Sequence, residues 1–440
     1  MPCSRRDFLS SASLGALASI ATPILPAPAD EPAEPNAAPA KELPRVTAIN
    51  SVYRYKSHAY HIAGRFIHGY QREGVHHQPP FRLTRMYNDQ YPKDDLGREV
   101  CRRHGVELSK TVADALGGKA TLDVDAVLLI CEHGDYPVNE FGQILYPRYE
   151  LFEQIVEVFR ASDRSVPVFV DKHLSYDHRL AAKMVNTARE LDFGLMAGSS
   201  LPVTWRRPEF EPPLEAPFSE GLVLYGYDRS IAEIYLFHAL ETLQCMLERR
   251  KGGETGVKSV ACLEGDAVWK AGKDDSAPAE GAGRWPWPLV RAAATRSPSY
   301  NIGEPQENVR HPMAILIEYR DGTRGTVLNL PEQLSDFNFA GRIGGRDDIV
   351  STNFELPAPP GARFFDPLVA NMEKFFATGR SPYPVERTLL TSTMLDLALR
   401  SLADGGKPIP DPALDVRYQA PADSGYFRGP VTAAQVSHLP

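Results

Sequence analysis

Several classes of protein are excluded by what the chain lacks. Its five cysteines (Cys3, Cys101, Cys131, Cys245 and Cys262) form no C-x-x-C pair, which removes zinc-ribbon and thioredoxin-type readings. No uninterrupted apolar stretch reaches the roughly 18 residues that would span a bilayer. Basic residues are neither in excess nor clustered. The 48 Lys and Arg stand against 56 Asp and Glu, for a net charge of −8, which argues against a nucleic-acid partner. Internal repeats are absent. What remains is a chain of 440 residues, 43% hydrophobic and 24% charged. That is too long for one ordinary domain and apolar enough for a large core, so two domains are expected.

The first residues read as an export signal, residues 1–29. Ser4-Arg5-Arg6-Asp7-Phe8-Leu9 is a charged start, residues 14–25 are mildly apolar, and Ala27-Pro28-Ala29 is a small-x-small exit. The paired arginines with Phe8-Leu9 behind them look like a twin-arginine signal, which implies export of a folded protein to the periplasm and hints at a cofactor held before export. Cleavage after Ala29 removes Cys3 and leaves four cysteines without the spacing of a disulfide framework. Residues 30–44, rich in Pro, Ala and Glu, are expected to be a disordered linker.

Beyond the linker, apolar runs at 46–52, 81–87, 124–130, 166–170 and 193–197 predict strands. Helical spacing at 58–70, 94–104, 149–159 and 176–191 separates them. Such alternation specifies a Rossmann-like, doubly wound parallel sheet over residues 45–200. After a Pro-rich stretch (201–217) come a long helix at 231–249, short strands at 257–264, 314–320 and 323–330, and a closing helix at 387–402. These predict a C-terminal α+β domain, residues 201–440, with an open, mainly antiparallel sheet. The fold class is therefore α/β.

Ligands of a doubly wound sheet sit beyond the carboxyl ends of its strands. That rule selects Cys131-Glu132-His133-Gly134-Asp135 after Ile130, Asp171-Lys172-His173 after Val170, and Gly198-Ser199-Ser200 after Ala197. Apolar strands that end abruptly in ionisable residues point to chemistry more than to packing.

The segment Val166-Pro167-Val168-Phe169-Val170-Asp171-Lys172-His173-Leu174, then a helix, then Leu195-Met196-Ala197-Gly198, resembles the Glu-Lys-Pro region of the Gfo/Idh/MocA oxidoreductases, the glucose–fructose oxidoreductase and inositol dehydrogenase family. The resemblance extends to the two-domain plan and the occasional twin-arginine export. It implies NAD or NADP as cofactor, a sugar, polyol or related hydroxyl compound as substrate, and a possible homo-oligomer joined through the open sheet. It places Lys172 near the nicotinamide and the substrate hydroxyl. His238 and Glu241, in Phe237-His238-Ala239-Leu240-Glu241, match the family's histidine followed three residues later by an acid. An imidazole there takes a hydroxyl proton while hydride leaves the same carbon. Glu132 and Asp171 would border the cofactor, and His133, Asp135 and His173 the substrate.

The chain also departs from that pattern. A dinucleotide turn uses G-x-G-x-x-G so that backbone approaches the diphosphate. Here Ser51-Val52-Tyr53-Arg54-Tyr55-Lys56-Ser57-His58 stands in its place, with no glycine before Gly64. Arg54, Lys56 and Ser57 would hold phosphate by side chains, with the amides of Ser57 and His58 opening the helix. Asp89, at the end of the second strand, would meet the adenosine ribose or simply form a turn. The family's proline is His173, and its acid four residues before the histidine is Ile234. Residues 142–148 extend the first loop and are placed to close over the site. Trp205 is read as a stacking platform for a sugar and Arg206 as a carboxylate or hydroxyl ligand, or the pair as an interdomain hinge. Two further functions compete with the oxidoreductase. A metal-assisted lyase, hydrolase or epimerase would use Glu132, His133, Asp135, Asp171, His173, His238 and Glu241 as ligands. A non-catalytic exported sugar-binding protein would need no turnover at all.

Overall fold

The computed structural model describes residues 42–228, 232–273 and 284–431. The expected signal peptide and all but the last three residues of the expected linker lie outside them. Six parallel strands form the first sheet. Their order from edge to edge is Glu107–Leu108, Arg82–Asn88, Arg45–Asn50, Ala126–Ile130, Val168–Asp171 and Leu195–Gly198. In chain order this is 3-2-1-4-5-6, the doubly wound sequence that reverses direction between the first and fourth strands. Ala126–Ile130 (Ala-Val-Leu-Leu-Ile) is buried throughout, as a strand covered on both faces must be.

Helices Arg148–Ser162 and His178–Glu190 supply the core on one face, through Phe152, Ile155, Phe159, Met184 and Val185. The other face is closed by the helix His58–His68 together with Phe365–Thr378, a helix from the far end of the chain. That late helix was not anticipated, although Leu368, Val369, Met372, Phe375 and Phe376 follow helical spacing and Gly379 ends it in the left-handed conformation. Residues 201–440 therefore complete the core of the first sheet, and the expected boundary near 200 does not separate two independent cores.

The second sheet has seven strands, ordered Val257–Glu264, Met313–Tyr319, Arg324–Asn329, Phe218–Tyr225, Phe337–Ile343, Val350–Glu355 and Trp205–Arg207. All its pairs are antiparallel except Phe218–Tyr225 with Arg324–Asn329. Helix Ala232–Leu247 lies on one face. The helix Val385–Ala403 packs on that helix and stitches the two sheets together. Thr388 Oγ1 donates to the Ala197 carbonyl (2.8 Å), and Arg387 and Glu248 form a fully buried bidentate ion pair. Cys101, Cys131, Cys245 and Cys262 are all buried, and none of the four forms a disulfide. Among the described residues no helix is long and apolar enough to cross a membrane.

Candidate functional site

The parallel register sets Asn88, Asn50 and Ile130 in one row, continued by Asp171 opposite Gly198. The chain beyond this row forms the rim on which the site is built. Ser51 Oγ donates to the Glu132 carbonyl (2.8 Å), tying the loop after the fourth strand to the turn after the first. Glu132 is buried between two cations. Its Oε1 accepts from Lys172 Nζ at 3.0 Å and its Oε2 from Arg148 Nη2 at 2.7 Å. Burial pushes the Glu132 carboxyl up, but Lys172 and Arg148 more than reverse this and hold it below the usual range. Lys172 and His133 both adopt positive φ, 63° and 68°. That backbone conformation costs a non-glycine residue about 1 kcal/mol or more, and it recurs where a site must aim a side chain.

A second pair lies beside the first. His58, the opening residue of the helix His58–His68, places Nδ1 2.7 Å from Asp171 Oδ2, while Asp171 Oδ1 is buried without a partner. Burial raises the Asp171 carboxyl to about 6. Burial and neighbouring Lys172 keep His58 far below the ordinary histidine value, so its ring is neutral at pH 7. His238, from the helix Ala232–Leu247, faces the same space from the second domain. His58, Glu132, His133, Lys172 and His238 all line one cavity of about 810 Å³, walled by Tyr227, Tyr235, Phe337 and Phe365. Glu132, His133 and Lys172 of the strand ends thus share one cavity with His238 of the helix Ala232–Leu247.

Other expected site residues lie elsewhere. Glu241 is buried, and its Oε2 accepts from the Ser199 amide at 2.8 Å. A side chain at Gly198 would collide with its carboxylate. It therefore braces the last strand and does not partner His238; burial raises it to about 7. His173 lies beneath the cavity, 3.2 Å from Arg148 Nη1 and 3.5 Å from Glu233 Oε1. Asp135 is exposed and exchanges backbone hydrogen bonds with the Gln90 side chain. Trp205 and Arg206 do not line the cavity. Trp205 packs on Phe427, and Arg206 stacks on Tyr426 while donating to the carbonyls of Phe210 and Pro202. They anchor the edge strand Trp205–Arg207 in place, which is why a tryptophan and an arginine side by side are both buried.

Where a glycine turn would sit, the Tyr53 side chain is buried and the Ser57 hydroxyl caps the helix by accepting from the Tyr60 amide. Arg54 reaches Asp94 at 3.5 Å and Lys56 is exposed. Asp89 stands at the end of the second strand but accepts from the hydroxyls of Tyr87 (3.1 Å) and Tyr136 (2.8 Å). Together with Gln90 and Asp135, these contacts brace the loop after the fourth strand against the loop after the second. Residues 142–148 do not cover the cavity as a lid. Gln143 donates to the Tyr176 carbonyl and the Ile144 amide donates to Glu233 Oε2 at 2.8 Å, which fixes the loop away from the cavity lining.

Sequence reasoning missed Arg148, Glu233 and the side-chain role of His58. Arg148 had no signal beyond its place at the start of a helix. Glu233 lies one residue from the position where the family pattern would seek an acid, and burial raises it to about 7. Glu132 is paired with Lys172 and Arg148, and Asp171 with the His58 ring, while Nδ1 of His133 and of His173 is buried without a partner. Among the described residues, the one cluster with metal-ligand spacing is Asp177, His178 and Asp396, which is exposed in part and paired with Arg179 and Arg400.

GenD2 from gentamicin A biosynthesis, in complex with NAD, matches this structure at a TM-score of 0.50 and 14% identity, over 86% of this chain and 99% of that one. The myo-inositol 2-dehydrogenase from Lactobacillus plantarum gives 0.48 and 12%, over 84% and 99%. A myo-inositol dehydrogenase from Corynebacterium glutamicum gives 0.47 and 10%, over 84% and 99%. No family model and no curated sequence matches the chain. The likeness defines the fold. The chain shares the architecture of the GenD2 structure.

Proposed function

We propose that the chain is an exported oxidoreductase, dependent on NAD or NADP, that acts on a hydroxyl or carbonyl of a sugar, polyol or related compound. The observation that carries this reading is the meeting of Lys172, Glu132, His58 and His238 over one cavity at the strand ends. Aromatic walls with a few convergent polar groups suit a carbohydrate-like ligand.

Lys172, Glu132, His58 and His238 would hold the reacting end of a dinucleotide in that cavity. At the phosphate end the donors differ from a glycine turn. Arg54 and Lys56 are the cations beside the start of the helix His58–His68, where Ser57 takes the Tyr60 and His61 amides and those of His58 and Ala59 have no acceptor within the helix. When bound, the dinucleotide supplies a hydride acceptor. The chain's own residues do the rest. Lys172, held through one of its three donors by Glu132, offers the others to the substrate oxygen and stabilises negative charge developing there. A neutral imidazole at the rim takes the hydroxyl proton. The aromatic walls exclude water.

The test is protein purified from the cytoplasm. We expect it to release a dinucleotide on denaturation, or to gain melting temperature with NAD or NADP, and to oxidise a member of a sugar and polyol panel. Absence of both signals overturns the proposal. The braced rim between Gln90 and Asp135 favours one competing reading, an acid–base lyase or epimerase that needs no nicotinamide. Turnover of the panel without added dinucleotide, with the metal content measured on the same sample, would favour it. Export rests on Arg5-Arg6, and an Arg5→Lys/Arg6→Lys variant retained in the cytoplasm supports it.

A further inference from the structure

The family pattern assigns the substrate's proton to the histidine on the long helix of the second domain, here His238. The geometry points to a different residue: we propose that His58, oriented by Asp171, is the group that accepts the substrate's hydroxyl proton, and that His238 only binds. This rests on the reading above and deepens it.

Two imidazoles compete, and their surroundings decide between them. A base buried in a cavity must stabilise the positive charge it acquires, which requires an acid beside it. His238 has none. Its Nδ1 is buried without a partner, its ring meets Tyr235, Phe237 and Phe337, and burial, Lys172 and His58 all oppose its protonation. The acid expected three residues later, Glu241, is turned away to the Ser199 amide.

His58 is opposed by the same burial and the same Lys172 charge, but it has an acid in direct contact. Asp171 Oδ2 sits 2.7 Å from Nδ1, in the strand row itself, at a fully buried position. The carboxylate fixes the tautomer with the proton on Nδ1, leaving the Nε2 lone pair free. Among the described residues Nε2 has no hydrogen-bond partner, the side chain is 15% exposed, and it lines the cavity shared with Lys172. The ring is clamped edge-on by Phe365 at 5.0 Å. Asp171, Lys172, Glu132, His133 and His61, with His238 from the helix across the cavity, are the charged and titratable groups that face it. The turn that carries glycines in a dinucleotide fingerprint thus carries an imidazole at the same sheet edge.

The step balances simply. The substrate O–H bond breaks and an N–H bond forms on Nε2. The O–H electron pair becomes the second bond of the carbonyl as the C–H hydride leaves to the nicotinamide class of acceptor. The imidazolium is held by Asp171 until it releases the proton to solvent.

Histidine-labelled protein, with His58 assigned by its loss in His58→Gln, gives the tautomer directly by nitrogen NMR, with no turnover required. The expected result is an Nδ1-protonated neutral ring at pH 7 and loss of that preference in Asp171→Asn. An Nε2-protonated ring, or a tautomer unmoved in Asp171→Asn, overturns the proposal. Kinetics give the second readout. His58→Gln should lower kcat by at least about 100-fold with KM within about threefold, Asp171→Asn should shift the pH profile, and His238→Gln should act mainly on KM. A His58→Gln variant within about threefold of wild-type kcat overturns it. The double variant His58→Gln/Asp171→Asn, which leaves no unpaired carboxylate, controls for folding. A wild type that neither binds dinucleotide nor turns over contradicts the proposed function, while the tautomer still decides the pairing of His58 with Asp171.

Discussion

The two halves of the first sheet's carboxyl edge are built on different principles. Beyond Ala126–Ile130 and Val168–Asp171, charge is buried: Glu132 is paired with Lys172 and Arg148, and Asp171 is hydrogen-bonded to the neutral His58 ring. Beyond Arg45–Asn50 and Arg82–Asn88, the loops are held by neutral or exposed hydrogen bonds, Gln90 with Asp135 and Tyr136 with Asp89. Burying ions is costly unless each is matched, so a half that keeps Glu132 and Lys172 at a cavity wall, with Arg148 behind them, is retained for something other than packing. The other half is shaped by ordinary loop bonding around a tyrosine where backbone alone would suffice for a phosphate.

Stability should separate the halves most strongly. Arg148→Met leaves Glu132 with a single cation in a dry site and should cost about 3–5 kcal/mol in chemical denaturation, against under about 1 kcal/mol for Gln90→Ala. Equal costs would erase the contrast. Next comes catalysis. Lys172→Met should lower kcat by about 100-fold or more, because it removes the donor aimed at the reacting oxygen. A third effect reads the join between the sheets. Glu241 is raised to about 7 in the fold, from an ordinary value near 4.5. The folded state therefore holds the proton more tightly. Stability falls as pH rises from about 4.5 to about 7, by about 3 kcal/mol for this group, and levels off above. Glu241→Gln should remove its share of that slope from a denaturation series, leaving the shares of Glu233 and Asp171, and an unchanged slope would contradict the Glu241 titration. The smallest effect tests the phosphate side. Arg54→Ala/Lys56→Ala should weaken dinucleotide binding by about tenfold at low salt and by less at high salt, measured by calorimetry.

Much of the first sheet is legible in the sequence because parallel strands are continuous apolar runs. The strand-end rule then finds Glu132, His133, Asp171 and Lys172 without further help. The second sheet is less legible. Phe337–Ile343 and Val350–Glu355 carry Asn338 and Asn353, which are buried and bonded to each other at 3.0 Å, so their patterns read as polar. Glu107–Leu108 is only two residues long. At the site, Trp205 and Arg206 look like ligands because their residue types are, yet both are spent on Phe427, Tyr426 and nearby carbonyls. His58 enters a sequence reading for its amide, as the first residue of a helix. Only the fold shows its ring reaching a strand 113 residues away.

The most direct test of the strand-end cavity as the reactive centre is transfer of deuterium from a C-deuterated polyol or sugar to the nicotinamide ring, followed by mass spectrometry in wild type and Lys172→Met. The account predicts labelled dinucleotide from the wild type and label near background from the variant. No label from the wild type across the panel, or equal label from both proteins, would contradict it.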